Sequence, residues 1–569
     1  MTTNAQTLQT TYPQTPHGGV LVDQVVPEER RAAEIERAKT LPSIRVDLEA
    51  IITIEMITTG VLSPNRGFMN QQDYLSVLET GRLTDGTVWP VPLSFAPTGN
   101  INKEIIAGLS VGDDVALVDS DNEPVAILEV EDTFEYDPQH RAQHLFGTTD
   151  RSHPGVDSIY RRMGDTALGG TLHLLNRVDW GPFERLRLEP KDTWKLFYEE
   201  KQFTSVAGFI TGANPLHRGH EYIHRNALEE IDGLFLQPLV EMAKREFVRH
   251  EYRIRGYQNV LDTYYPRDRS ILSPLRVTYI FAGPREAVLH ALVMKNYGCT
   301  HALIGRDHAG IGDFYDKYAG HSVFSDYTQE ELGIDVRLFH EVFYDTRAAT
   351  HATSQTVGDP DDVRFRLNIS GTGIRELLRY GYLPPKEIVR PESALAAIQG
   401  IQPKGIGDDG HATINPVGKV IKSMFPFYLE YTRLGGEKLE TPRKVEDLTI
   451  QDLETVLRDV RANASLIYQD VYDEYSSHLD RSRALQPVWR EDVREQLRFA
   501  QERLLEELEH KVATAPETAS DEYMYQDKAE AQRELEAAKR LFEELPVSIS
   551  DEARQQRSWN PMPYERYRS

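Results

Sequence analysis

One cysteine, Cys299, serves a chain of 569 residues. A single thiol excludes an internal disulfide framework and any cysteine-based zinc cluster. No stretch approaches the ~18 consecutive apolar residues of a membrane span. The N-terminal segment "MTTNAQTLQTTYPQTPHGG" has no basic region followed by an apolar one, so it does not read as a signal peptide. Basic residues are scarce relative to acidic ones, 64 against 89, giving a net charge of −25. That balance disfavours nucleic acid as a partner, because phosphates are neutralised by basic surface. It also means that any anion site must be built from local positive charge and backbone N–H groups. A P-loop is absent, and so is an internal repeat. A soluble, cytoplasmic protein without membrane contact is the expectation.

The length suffices for three or four domains at roughly 150 residues each. Residues 1–20 read as an N-terminal arm. From 21 to 192, short alternating runs such as "DGTVWPVPLSF" (85–95), "GDDVALVD" (112–119) and "PVAILEVEDTFEY" (124–136) predict a β-rich domain, with a helix over 27–39. From 193 to 345 the pattern becomes α/β: apolar runs at 205–210, 233–240, 269–275 and 300–305 alternate with helical stretches at 247–265 and 283–297. That alternation predicts a parallel sheet, whose ligands sit at the carboxyl ends of the strands. A small α/β region follows over 346–400. Residues 401–569 are charged and helix-periodic, with apolar faces at Leu453, Val456, Leu457 and Val460, and again at Leu497, Leu504, Leu505 and Leu508. This helical extension has no assignable role; packing or self-association is its plain reading.

Three polar clusters follow apolar runs. In "FITGANPLHRGHEYIHR" (209–225), His217 and His220 stand at the expected start of a helix, where unpaired N–H groups favour phosphate. Asn214 supplies an amide at the helix entrance, Pro215 fixes the turn, and Gly219 allows close approach. The pair fits a triphosphate and the charge that develops on a phosphorus under attack. H-x-x-H alone is a weak signal, since two such histidines are more often ordinary surface or core residues, and the glutamate of a zinc H-E-x-x-H is missing. The second cluster, "GRDHAGIG" (305–312), packs Arg306, Asp307 and His308 between glycines, with Gly305 at its head. Such a loop can approach phosphates while arginine binds an oxyanion. The third, "ISGTGIRELL" (369–378), sets Ser370 and Thr372 at a helix start with Arg375 further along.

These residues resemble the nucleotidylyltransferase superfamily, in which H-x-G-H and I-S-x-T-x-x-R bracket a nucleotide. More specifically, "SPNRGFM" (63–69), "NPLHRGHEY" (214–222) and above all "AGPREAVLHALVMKNYGCTHALIGRDHAGIGDFY" (282–315) resemble the ATP sulfurylase (sulfate adenylyltransferase) family over about residues 16–395. The resemblance implies a PUA-like β-rich domain, then a Rossmann-like catalytic domain. It implies ATP with Mg2+ as substrate, transfer of AMP to sulfate, release of pyrophosphate, and assembly as a homo-oligomer. By the same resemblance Asn214, His217, His220 and Arg306 would be catalytic. Thr211, Gly212, Gly305, Asp307, His308, Ser370 and Arg375 would line ATP, with Val342 near the adenine. Ala213, Arg306 and Ala309 would face the acceptor anion. No structural zinc is expected, since "FYDTRAATHATSQTVGDPDD" (343–362) carries no cysteine.

One departure bears on the acceptor. The family writes Q-T-R-N-P before its two histidines, and this chain writes Thr211-Gly212-Ala213-Asn214-Pro215. Losing a bidentate arginine from a partly buried anion site costs about 1.5–3 kcal/mol. Three readings stay open: sulfate in a rebuilt pocket using Arg218, Arg276 or Arg306; a different oxyanion or phosphonate-type acceptor; or a non-catalytic nucleotide-binding or assembly protein.

Overall fold

Fourteen strands in three sheets organise the residues that the computed structural model describes: 12–240, 248–277, 280–306, 308–311, 314–356, 366–369, 371, 374–375, 378, 384–400 and a few isolated positions between 509 and 539. Asp307, Ser370 and Thr372 lie outside them, as does almost all of the 401–569 extension. Among the described residues no helix is long and apolar enough to cross a membrane.

The first sheet contains β1 (Ser43–Arg45), β2 (Gly67–Phe68), β3 (Asp114–Val118), β4 (Pro124–Glu135) and β5 (Thr166–Leu174), in the order β1-β3-β4-β5-β2. The run 85–95, expected as a strand, contributes only the isolated bridges Arg82↔Val88 and Phe95↔Leu168. Pro90 and Pro92 remove the N–H donors that a ladder needs there. The expected helix over 27–39 runs Glu28–Ala38.

The second sheet holds β6 (Val206–Thr211), β7 (Gly233–Val240), β8 (Ser270–Leu272), β9 (Leu275–Arg276), β10 (His301–Ile304) and β11 (Asp335–Leu338). Its path is β11-β10-β6-β7-β8, every pair parallel, with β9 also on β7. β6 and β7 are buried along their whole length, as continuous apolar runs in a covered parallel sheet must be. The third sheet, antiparallel, consists of β12 (Val342–Asp345), β13 (Thr350–Thr353) and β14 (Arg366–Asn368). β12 therefore pairs across the expected boundary at 345.

The helix Pro284–Asn296 joins the first two sheets. Arg285 donates to the carbonyls of Val77, Leu78 and Pro90, and Asn296 Nδ2 donates to those of Val61 and Ser63. One apolar core runs from Ile44 and Leu174 through to Phe235 and Ile304. The arm is docked from residue 12: Gln14 Nε2 donates to Gly333 O at 2.8 Å, and His17 N–H to Asn296 Oδ1 at 2.9 Å.

Candidate active site

Strand order reverses at β6, which has β7 on one side and β10 on the other. A doubly wound sheet opens a crevice at this point, beyond the carboxyl ends of its strands. Gly212 to His217 leave β6 into that crevice, and Gly305, Arg306, His308 and Ala309 follow β10 beside them. Gly305 lies against Ile223 of the helix Arg218–Glu230, so the two loops share a wall.

The first loop is held from three directions. Thr211 Oγ1 accepts the Ala213 N–H at 3.1 Å, Tyr257 Oη donates to Ala213 O at 3.0 Å, and Ser393 Oγ donates to Leu216 O at 3.0 Å. The Asn214–Pro215 bond is cis. Asn214 does not cap the helix as expected. The N-cap is His217, in extended backbone, and its N–H donates to His220 Nδ1 at 3.4 Å. The intervening proline turn displaces Asn214 from the cap position, and its Oδ1 is buried without a partner among the described residues. Gly219 has a local reason too: a Cβ there would lie 3.1 Å from the His217 ring.

The rings of His217 and His220 lie against each other, mutually tilted, with centroids 3.7 Å apart. Both rings keep some contact with solvent, yet they are packed densely enough to disfavour charge. Removal from water lowers His220 to about 4. His217 falls well below the usual histidine value through burial, then through His220 and the positive Arg375. That influence puts Arg375, from the third cluster, within electrostatic reach of the pair. His217 Nδ1 is buried without a partner among the described residues. The pair therefore offers neutral N–H donors and an unsatisfied polar edge, suited to an arriving anion.

In the second loop, Arg306 Nη1 donates to Glu341 Oε1 at 2.7 Å. His308 Nε2 lies 2.9 Å from His290 Nδ1, and burial lowers His308 to about 4. His321 Nε2 sits 3.1 Å from Gly305 O, and Ala309 takes the left-handed backbone (φ 57°). Val342 is half-buried in the apolar cluster around Leu303 and Tyr257.

Two of the arginines considered for a rebuilt anion pocket are engaged elsewhere. Arg218 Nη1 donates to Lys386 O, while Arg218 Nε lies 3.5 Å from Glu221. Arg276 Nη1 donates to Asp179 O, and its guanidinium lies over the Trp180 ring. Sequence spacing shows only Glu221 beside Arg218, three residues on along one helix; Lys386, Asp179 and Trp180 come from distant segments. The same limit hid Tyr257, Ser393 and His290. For His290, the Glu286 spacing, i to i+4 on one helix, is readable in the chain itself.

Comparison with known proteins agrees with this architecture. A PUA-like domain model matches residues 14–177, and an ATP-sulfurylase model matches 184–399. Sulfate adenylyltransferase of Halothermothrix orenii is 41% identical over 388 residues, 68% of this chain and 99% of that protein. The chain belongs to the ATP-sulfurylase family. Sulfate adenylyltransferase of a Synechococcus strain is 40% identical over 390 residues, 68% of this chain and 97% of its own. Among solved structures, the hexameric APS kinase from Thiobacillus denitrificans superimposes with a TM-score of 0.53 at 20% identity, covering 80% of this chain and 84% of that one; this likeness supports the fold. Within the family, the chain is a nucleotidyltransferase with a PUA-like domain ahead of its α/β domain. The ATP-sulfurylase match ends where the 401–569 extension begins.

Proposed function

We propose that the enzyme transfers AMP from ATP to sulfate, giving adenosine 5′-phosphosulfate and pyrophosphate. The observation that carries this reading is the neutral His217–His220 pair at a helix N-terminus in the crevice beside β6, in a chain about 40% identical to sulfate adenylyltransferases. In-line attack on the α-phosphorus calls for positioning and charge neutralisation rather than covalent catalysis. Asn214, His217 and His220 hold the triphosphate as charge shifts toward pyrophosphate. Arg306, with Ala213 and Ala309 beside it, faces the acceptor anion. Thr211, Gly212, Gly305, Asp307, His308, Ser370 and Arg375 line the nucleotide, and Val342 borders the adenine. Mg2+ arrives on the triphosphate as part of the substrate, where phosphate oxygens and water complete its shell. The enzyme works in the cytoplasm as a homo-oligomer.

The test is pyrophosphate release from MgATP with sulfate, alongside selenate, molybdate and phosphonates. Turnover with sulfate is expected, at a lower rate than in relatives that carry an arginine at the Ala213 position. Release with another oxyanion but not with sulfate would move the acceptor assignment. No release with any of them would leave a nucleotide-binding protein.

A further inference from the structure

A chain of buried polar groups runs behind the second loop of the crevice and ends at His308. Glu286 and His290 sit one turn apart on the helix Pro284–Asn296, with side chains 2% and 7% exposed. The Glu286 carboxylate accepts the backbone N–H groups of Ile280 (3.2 Å) and Ala282 (3.1 Å). His290 Nε2 lies 3.8 Å from Glu286 Oε1, and His290 Nδ1 lies 2.9 Å from His308 Nε2. The helix itself is clamped by Arg285 and Asn296 against the first domain, so these distances rest on a rigid element.

Burial keeps both rings neutral, so each carries one N–H. The short contact between them needs one donor and one acceptor, and two arrangements satisfy it. If His290 donates from Nδ1, its Nε2 lone pair faces the Glu286 carboxylate in a water-excluded site, setting acceptor against acceptor. If His290 carries its proton on Nε2, that proton faces the carboxylate and Nδ1 accepts from His308. The second arrangement wins on electrostatics, and it leaves His308 Nδ1 bare.

We propose that His290 is a positioning residue that locks His308 in its Nε2–H tautomer, so that His308 meets the nucleotide as a hydrogen-bond acceptor at Nδ1. The contact rests on the function proposed above; the tautomer does not. A bare imidazole nitrogen repels phosphate and sulfate oxygens, which are themselves acceptors. It pairs with the donors of a nucleoside: the ribose hydroxyls or the adenine amino group. His308 thus reads the nucleoside, whereas His217 and His220 take the phosphates.

The experiment uses the full chain labelled with 15N-histidine, with the His308 signals assigned by their loss in His308→Gln. Long-range 1H–15N correlation should show Nε2 protonated and Nδ1 bare in the wild type without nucleotide. His290→Asn, whose amide oxygen overlays the Nδ1 position, should keep that tautomer, and His290→Leu should yield a mixture. An Nδ1–H tautomer in the wild type would overturn the proposal, and so would a spectrum unaltered in His290→Leu; the wild-type measurement stands even if that variant fails to fold. Calorimetry with MgATP, its 2′-deoxy and 3′-deoxy forms and purine riboside triphosphate reads the contact. One of the three should bind about three- to tenfold more weakly than ATP to the wild type. The difference should shrink in His290→Leu and persist in His290→Asn. Equal affinity for all four ligands would overturn the contact while leaving the tautomer standing. Absence of ATP binding by the wild type would instead refute the proposed function.

Discussion

The rings of His217 and His220 lie against each other, with centroids 3.7 Å apart and planes inclined by 31°. Two imidazolium ions cannot share that space without a counter-charge, and burial already holds both rings neutral. A polyphosphate is met by the N–H donors of these neutral rings. Single alanine substitutions at either position should lower the rate of AMP transfer by about 10²–10³-fold, the usual cost of a donor aimed at developing charge. The double variant should fall less than the product of the two, because the rings act as a unit. Calorimetry should also show weakened ATP binding. Unchanged affinity in His217→Ala/His220→Ala would mean that the triphosphate binds elsewhere.

Acid should destabilise the fold through its buried histidines. His17, His220, His308 and His351 are each lowered to about 4, with loss of hydration the largest cause. Their unfolded values lie near 6.5, so the unfolded chain takes up protons first as pH falls. This contribution is intact above about pH 6.5 and is lost progressively toward pH 4. The melting temperature should therefore be level near pH 7–8 and drop between pH 6.5 and 4. His17→Gln should flatten part of that slope without touching nucleotide binding, because His17 Nε2 meets the carbonyl of Val88, 2.7 Å away, and among the described residues its side chain bonds neither crevice loop.

Much of this architecture could be read from the chain. The apolar runs at 205–210, 233–240 and 300–305 are uninterrupted because β6, β7 and β10 are covered on both faces, and period-free runs of that length fit little else. Likewise Gly305–His308 had to follow a strand for its motif to be useful. What stayed hidden depends on pairings distant in sequence. Nothing in the spacing of Asn214, Pro215 and His217 reveals that the cap falls on His217, since the geometry of the proline turn decides it. Nor does the chain say that Arg218 faces Lys386, or that His290 backs His308.

Arg306 and Glu341 form a partly exposed ion pair at 2.7 Å, with side chains 28% and 43% accessible. Such pairs contribute about 0–1 kcal/mol to stability. Glu341→Gln should therefore leave the melting temperature within a degree or two. It should also remove a carboxylate that competes with incoming anions for the guanidinium. The expected result is a lower KM for the acceptor anion with little change in stability. Arg306→Ala should do the opposite to KM and depress kcat as well. A higher acceptor KM in Glu341→Gln would show that Glu341 orients Arg306 rather than restraining it.

Glu221 is 2% exposed and lies against two arginines: Arg390, whose Nε is 3.1 Å from both carboxylate oxygens, and Arg218, 3.5 Å away. Removing the shared carboxylate leaves two half-buried guanidinium groups facing each other. Glu221→Gln should cost about 2–4 kcal/mol, at or below the usual range for breaking a buried pair because both arginines keep some water. Chemical denaturation should register this as a lower midpoint with an unchanged m-value. The loss should reach the crevice, since Arg218 opens the helix that carries His220 and its N–H donates to Ile388 O at 2.8 Å.

Tyr257 offers a cleaner separation of site geometry from stability. Its ring is fully buried and its hydroxyl donates to Ala213 O at 3.0 Å, fixing the loop between β6 and the paired histidines. Tyr257→Phe keeps the ring and deletes one hydrogen bond, worth about 1 kcal/mol. Because the bond acts on the loop that carries Asn214, the loss should appear in kcat more than in KM: roughly a fivefold fall, with ATP affinity changed less than twofold. Ser393→Ala, which frees Leu216 O on the other side of the same loop, should give a similar fall. The two bonds hold one short segment, so the double variant should deviate from the product of the single effects. Strict multiplicativity, measured from kcat of the four proteins, would show that the two anchors act on the loop independently.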